Sequence, residues 1–211
     1  MQKMKIKVLP VTELYTNCYL VSADNAALVI DPGEYTDEAA DFLNRNPSAE
    51  KLILLTHAHF DHIGGADRLR RETGARVAIG CNDAAALSDS EKNLSAGFGF
   101  PIKPFSADIL LKNGEKFNVG ELEITALETP GHTPGGMCFL AESSLFSGDT
   151  LFAGSVGRTD FPGGDTRALI NSLKTVISAL PDGIAVYPGH GGSTTLAAEK
   201  RSNPYMNGGL L

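Results

Sequence analysis

The sequence predicts an α/β fold, and three observations predict it. Short apolar runs of strand character alternate with helical stretches, the first strands lie close enough to form hairpins, and the histidines fall where apolar runs give way to glycine-bearing turns. In chain order, strands are expected at KIKVLP (residues 5–10), NCYLVSA (17–23) and AALVIDPG (26–33), followed by a helix over residues 37–46. KLILLT (51–56) is an uninterrupted apolar run of the kind that forms a buried strand. A helix over residues 63–73, the strand ARVAIG (75–80) and a short helix over residues 83–87 come next. SDSEKNLSAGFGFPIKPFS (88–106) has glycines, prolines and no period, and is expected to be a long surface loop of the kind that often carries function. The remaining elements are strands LEITALET (122–129) and GMCFLA (136–141), a helix over residues 166–180, the strand IAVYPG (184–189) and a helix over residues 195–201. No repeat, linker or low-complexity tract interrupts this order, so a single domain over residues 1–211 is expected.

Composition excludes several classes of function. With 42% hydrophobic and 20% charged residues, a chain of 211 residues suits an ordered globular protein. A formal charge of −7 with no block of Lys or Arg argues against nucleic-acid partners, because that binding depends on neutralising phosphates. No apolar run has the length of a membrane span, and MQKMKIKVLP lacks the apolar region of a signal peptide. A cytoplasmic protein without membrane partners is the expectation. Cys18, Cys81 and Cys138 are too few and too scattered for a disulfide framework or a Cys-based zinc site, and are expected to be small buried hydrophobes.

LLTHAHFDHIGG (54–65) places His57, His59, Asp61 and His62 just beyond the KLILL run. In an extended segment His57, His59 and Asp61 share one face, while His62 reaches back from the next element. ETPGHTPGG adds His132, SLFSGDTLF adds Asp149, and AVYPGHGG adds His190, each beyond an apolar segment and beside glycine. One such histidine alone would be an ordinary hydrogen-bonded residue, but all five histidines of the chain lie in these stretches. Neutral imidazole and carboxylate suit borderline divalent ions, zinc first, with iron or manganese as alternatives. Five imidazoles and two carboxylates exceed one tetrahedral shell. Two ions sharing a carboxylate would use all seven and leave open positions, which means catalysis. Two divalent cations set against Asp61, Asp149 and a hydroxide leave a local charge of about +1, so an anionic small substrate is acceptable.

THAHFDH (56–62), then His132, Asp149 and His190 in that order, resembles the signature of the metallo-β-lactamase superfamily along most of the chain. The resemblance implies a four-layer αβ/βα sandwich with the metals at the strand ends between two sheets. It implies one ion on His57, His59 and His132 and another on Asp61, His62 and His190, with Asp149 bridging. Asp61 and Asp149 are then the carboxylates of the catalytic centre, as ligands and not as free bases. His59 is not the glutamate typical of flavodiiron proteins, and Asp149 is not the cysteine of most zinc β-lactamases, which points away from antibiotic hydrolysis. GDTLFAGSVGRTDFPGGD (148–165), VYPGHGGSTT (186–195) and RSNPYM (201–206) resemble short glyoxalase II-like hydrolases. These act on thioesters such as S-lactoylglutathione. GRTDF (157–161) also resembles persulfide dioxygenases, which would hold a single iron through His57, His132 and Asp149. A non-catalytic metal-binding regulatory module is a third reading, ranked lower because a complete ligand set with open coordination implies chemistry.

Chemistry favours hydrolysis. Coordination lowers the pKa of water from about 16 toward about 7, so a bridging hydroxide can attack the thioester carbonyl. A thiolate, whose conjugate acid has a pKa of about 8.5, then leaves without obligatory protonation, whereas an amide needs a general acid that the motifs do not supply. Arg158 offers a bidentate fork for a substrate carboxylate, or an ion pair with Asp160. Asp31 and Thr56 are expected to support ligand histidines, and Phe98, Phe100 and Phe105 to line a substrate mouth or anchor the long loop.

Overall fold

The computed structural model describes residues 4–207. The expected domain limits at residues 1–3 and 208–211 lie outside the described residues. The chain opens with a meander of β1 (Lys5–Val11), β2 (Thr16–Ala23) and β3 (Ala26–Ile30). Next come α1 (Asp37–Asn44), β4 (Glu50–Leu55), α2 (Phe60–Ile63), α3 (Ala66–Thr73), β5 (Arg76–Gly80), α4 (Ser95–Phe98) and β6 (Ile109–Leu111). These strands form a six-stranded sheet in sequence order, antiparallel from β1 to β3 and parallel from β3 to β6. Parallel neighbours need a crossover, and α1, α2 with α3, and the 88–106 segment supply them.

Residues 112–115 carry the chain to the second sheet. It contains β7 (Lys116–Val119), β8 (Leu122–Glu128), β9 (Met137–Ala141) and β10 (Ser144–Gly148). A hairpin of β11 (Leu151–Phe152) and β12 (Ser155–Val156) precedes α5 (Thr166–Ser172). The chain ends in β13 (Ala185–Pro188), β14 (Thr194–Thr195) and α6 (Leu196–Ser202), and the second sheet runs β14-β13-β10-β9-β8-β7.

The apolar runs read as buried strands because both their faces are covered. In β4, Ile53 and Leu55 face the helices while Leu52 and Leu54 face the second sheet; β3 divides Ala27 and Val29 from Leu28 and Ile30 in the same way. In the second sheet Phe139 and Phe146 fill the space between the sheets, and Cys138, Leu145 and Val186 pack beneath the C-terminal helices. Three cores thus separate four layers, the αβ/βα sandwich that the resemblance implies.

The differences from the expected elements have local causes. α1 stops at Asn44 rather than residue 46, because Asn46 precedes Pro47 and is turned out of the helix, where its side chain accepts from the Ser48 amide. The helix expected over residues 63–73 is two helices. Between them, side chains at Gly64 and Gly65 would overlap the backbone of Gly33 and Glu34. The long loop contains the turn of α4, and the helix over residues 166–180 passes into a π-helical turn at Leu173–Ile177. β6, β7, β10 to β12 and β14 lie in stretches too short or too mixed to show a period. Cys18 and Cys138 are buried as expected, but Cys81 is exposed. Among the described residues no helix is long and apolar enough to cross a membrane.

Phe139 is fully buried between the sheets. Phe139→Ala is expected to cost about 3–5 kcal/mol, read as a lower urea midpoint at an unchanged slope. An unchanged midpoint would mean that the inter-sheet core does not carry the fold.

Candidate metal centre

β4 releases the chain at Leu55, Thr56 and His57 form a bend, and His59 takes the N-cap position of α2 (φ −67°, ψ 146°). His57 stands in that bend, and His59 is presented from extended backbone, as expected. Asp61 is not: it comes from the single turn of α2 together with His62. His132 sits in the β8–β9 loop, Asp149 follows Gly148 at the end of β10, and His190 follows β13. Gly148 has φ +47° and a Cβ there would overlap Thr56, while a Cβ at Gly189 would overlap Asp149. Both positions therefore exclude a side chain.

All seven expected residues converge. His57, His59 and His132 bring one ligating atom each within 4.8 Å of one another, as do Asp61, His62 and His190, and His57, His62 and Asp149. Asp149 lies between the two outer sets. Its Oδ1 is 3.4 Å from His62 Nε2, and its Oδ2 is 3.5 Å from His132 Nε2 and 3.6 Å from His190 Nε2. His190 Nε2 is in turn 3.3 Å from Asp61 Oδ2.

Hydrogen bonds around the cluster fix which ring nitrogens face inward. The Thr56 hydroxyl donates to Asp31 Oδ2 (2.6 Å) and lies 3.1 Å from His57 Nδ1, so it accepts from that nitrogen; His62 Nδ1 donates to Asp31 Oδ2 at 2.9 Å. His132 Nδ1 donates to the Arg158 carbonyl (2.7 Å) and His190 Nδ1 to the Leu14 carbonyl (3.2 Å). With those Nδ1 atoms carrying protons, four Nε2 lone pairs point into the cluster. His59 enters by its other nitrogen, Nδ1, which lies 2.9 Å from His132 Nε2. The expected support by Asp31 and Thr56 is thus present. Asp31 has one oxygen serving both histidines and the other accepting the Thr56 amide at 2.7 Å.

The cluster fits divalent ions on two grounds. His57 Nε2, His62 Nε2 and Asp149 Oδ1 are buried without a hydrogen-bond partner, a costly condition that a cation at the centre relieves. The donors are imidazoles and carboxylates without thiolate, the set that zinc, iron and manganese accept. The protonation states of His57 and His59 agree, while His62 would give up a proton to take an ion. Burial, then the facing imidazoles, holds His57 well below the usual histidine range and pushes His59 down to about 3, which leaves both neutral and ligating. Burial opposes a charge on His62, yet Asp61, Asp149 and Asp31 outweigh it and raise its pKa. Burial likewise opposes ionisation of Asp61 and Asp149, but His62 and the surrounding donors hold both below the usual carboxylate range.

Several supporting residues have no motif of their own. Thr16 donates to Asp61 Oδ2 at 2.8 Å. Asp83, buried, accepts from the Ala58 amide (3.2 Å) and the Gly135 amide (2.6 Å), tying the loop of His57 and His59 to that of His132. Asn17 Nδ2 donates to the carbonyls of Pro188 (3.0 Å) and Gly191 (2.8 Å) on either side of His190. These contacts join residues far apart in sequence, so only the assembled fold displays them.

A cavity of about 390 Å³ opens over the cluster between Leu14, Phe98, Phe152, Val156, Arg158 and Phe161. Arg158 is engaged in the expected ion pair: its Nε and Nη2 donate to the two oxygens of Asp160, each at 2.6 Å. Its guanidinium also sits 3.9 Å over the Phe161 ring. Phe98 lines the mouth, whereas Phe105 is buried among the helices of the first sheet and anchors the loop.

The sequence profile of the Metallo-beta-lactamase superfamily matches residues 11–190, the span that holds every residue of this cluster. The chain belongs to that superfamily. Hydroxyacylglutathione hydrolase GloC of Haemophilus influenzae is 37% identical over 209 residues, covering 97% of this chain and 99% of that protein. The crystal structure of BLEG-1 B3 metallo-beta-lactamase superposes with a TM-score of 0.87 at 37% identity, covering 96% of this chain and 99% of that one. TTHA1623 in a di-iron-bound form gives a TM-score of 0.81 at 34% identity, with 94% and 99% covered. The superfamily fold therefore accounts for the sandwich and for the place of the cluster at its strand ends.

Asp31→Asn keeps a residue that tolerates the left-handed backbone of this position (φ +51°) but removes the charge that orients His57 and His62. Metal affinity is expected to fall about 10- to 100-fold in chelator competition, with an unchanged far-UV spectrum. Wild-type affinity in that variant would deny Asp31 this role. Asp149→Ala is expected to lose both ions in native mass spectrometry; loss of one alone would rule out a shared ligand.

Proposed function

We propose that this superfamily member is a binuclear metallohydrolase that cleaves small anionic thioesters, with S-lactoylglutathione or a related hydroxyacyl-thiol as the type of substrate. The observation that carries this reading is the place of Asp149, whose carboxylate lies within 3.6 Å of His62, His132 and His190 and so touches both outer ligand sets. His57, His59 and His132 would hold one ion and Asp61, His62 and His190 the other, with zinc the leading candidate. Iron is a strong second, supported by the di-iron form of TTHA1623, and manganese suits the same donors. A single-iron dioxygenase would need only His57, His132 and Asp149 and would leave the Asp61, His62 and His190 set without a use.

When bound, the ions would supply hydroxide at neutral pH, by lowering the pKa of water toward about 7, and would polarise the thioester carbonyl. The chain's own residues orient and exclude. Asp31 and Thr56 hold His57 and His62 in the ligating tautomer, Thr16 fixes the Asp61 carboxylate, and the carbonyls of Arg158 and Leu14 fix His132 and His190. Leu14, Phe98, Phe152, Val156 and Phe161 wall the cavity and limit water around the reacting carbonyl.

Among the described residues that line the cavity, none outside the ligand set is a carboxyl, thiol or imidazole able to protonate a leaving group. A thiolate needs no such donor, whereas an amine does, so the same cavity that suits a thioester suits a β-lactam less well despite the resemblance to BLEG-1. The name of the Haemophilus relative supports the same substrate class. A cytoplasmic site of action, without nucleic-acid or membrane partners, belongs to this proposal; the charge of −7 supports the first of those absences.

Metal analysis of natively purified protein, paired with thioester and persulfide assays, tests the reading. Near two metals per chain with free thiol released from S-lactoylglutathione is the expected result. His62→Ala and His190→Ala should each lower metal content toward one equivalent and sharply reduce turnover. One iron per chain, with oxygen consumed and sulfite formed from a persulfide, would overturn it; metal bound with no turnover of either substrate would favour the regulatory module.

A further inference from the structure

The cavity over the metal centre does not end at the ligands. Leu14 lines it and also lines a second cavity of about 350 Å³, whose other walls include Tyr35, Phe60, Phe100 and Ile102. A row of rings joins the two. Phe60, buried in α2 between His59 and Asp61, stacks on Phe100 at 5.3 Å with planes 6° apart and packs 5.2 Å from Phe98. Phe98 meets Phe161 edge-on at 5.9 Å, and Phe161 meets His59 at 5.9 Å. The wall thus runs from the outer cavity to a candidate metal ligand. Its outer members are left open: Phe98 is 46% exposed, Phe100 42% and Leu14 45%.

Charge decides what can lie along this wall. The outer cavity is lined by Glu13 and Glu34 and by no cationic side chain among the described residues. Arg68, which covers the Tyr35 ring, is paired with Glu72, and Arg158 in the inner cavity is paired with Asp160. A glutathione moiety entering here would bring its two carboxylates toward two glutamates with no free guanidinium to offset them. An apolar group meets no such penalty, and about 350 Å³ exceeds the roughly 150 Å³ that suffices to hold benzene.

We propose that the second cavity is the acyl subsite, taking an uncharged aryl or alkyl acyl group, with Phe98 and Phe100 as its specificity-determining residues. The assignment rests on the thioester reading and narrows it: the acyl group lies along the aromatic wall, the scissile carbonyl over the ligand cluster, and the thiol portion leaves on the side away from Glu13 and Glu34. Of two glutathione thioesters, the one with the larger apolar acyl group is the better substrate.

Binding and turnover separate the two claims. By calorimetry, the metal-loaded enzyme should bind the non-hydrolysable thioether S-phenethylglutathione at least about 10-fold more tightly than S-ethylglutathione, the scale expected when an apolar group fills a pocket. Phe98→Ala and Phe100→Ala should each remove most of that preference, and Phe100→Leu should retain part of it. In turnover, S-phenylacetylglutathione should exceed S-acetylglutathione by a similar factor in kcat/KM, expressed in KM. The same variants should raise KM for the phenylacetyl ester by a larger factor than for the acetyl ester. Equal binding of the two thioethers, or a preference untouched by both alanine variants, overturns the subsite while leaving the hydrolase intact. A binding preference that the variants abolish, with neither thioester turned over, supports an apolar pocket there but overturns the thioester reading and the acyl assignment with it.

Discussion

Five imidazoles and two carboxylates share a space that water barely reaches, and the surrounding protein is arranged around that constraint. Buried polar atoms demand partners, and like charges demand separation. The structure answers with one hydrogen-bonded relay in which the Asp31 carboxylate serves the Thr56 hydroxyl, His57 through that hydroxyl, and His62 directly. Because this relay spends the outward nitrogens of two histidines, their inward nitrogens are left buried with no hydrogen-bond partner. The orphaned atoms are a requirement for a cation written into the fold. Asp31 meets it at a cost, since it is a non-glycine residue held at φ +51°.

The sandwich supplies the place where such a cluster can exist. Strands buried on both faces have no room for polar side chains until they end, so the first residues beyond β4, β10 and β13 are the first free to carry them. Gly148 and Gly189 then let the loops of Asp149 and of His190 approach so closely that a methyl group at either would occupy the space of Thr56 or Asp149. Asp83 performs the converse task, drawing the amides of Ala58 and Gly135 onto one carboxylate. Burial raises the pKa of Asp83, and the donors around it only partly offset that effect.

This division explains what the sequence made legible. The ligands could be read because each is a local event, a histidine or aspartate placed where an apolar run breaks, and the support by Asp31 was legible because it stands at the end of such a run. KLILL and AALVI announced their strands through the absence of polar residues. Thr16, Asn17 and Asp83 were not legible: each acts through partners between 25 and 174 residues away, and nothing in its own neighbourhood marks it. The alternation that would put Asp61 on extended backbone with His59 runs two residues too far, because the helix α2 begins at Phe60. Short strands such as β6 and β14 owe their form to the neighbour they pair with, and Cys81 lies outside the core because it directly follows β5.

The pairing of Thr16 with His190 across the cluster has a consequence for the order of assembly. Thr16 leaves the ribosome well before His190, and Asn17 spans 171 residues to reach Pro188. Contacts of such separation form late, after loop closure has been bought by other pairings. During synthesis the chain therefore passes through a stage in which His57 and His59 have been made while their distant partners have not. The full ligand set requires those distant contacts, so an ion taken up in its final coordination would seal the fold rather than nucleate it.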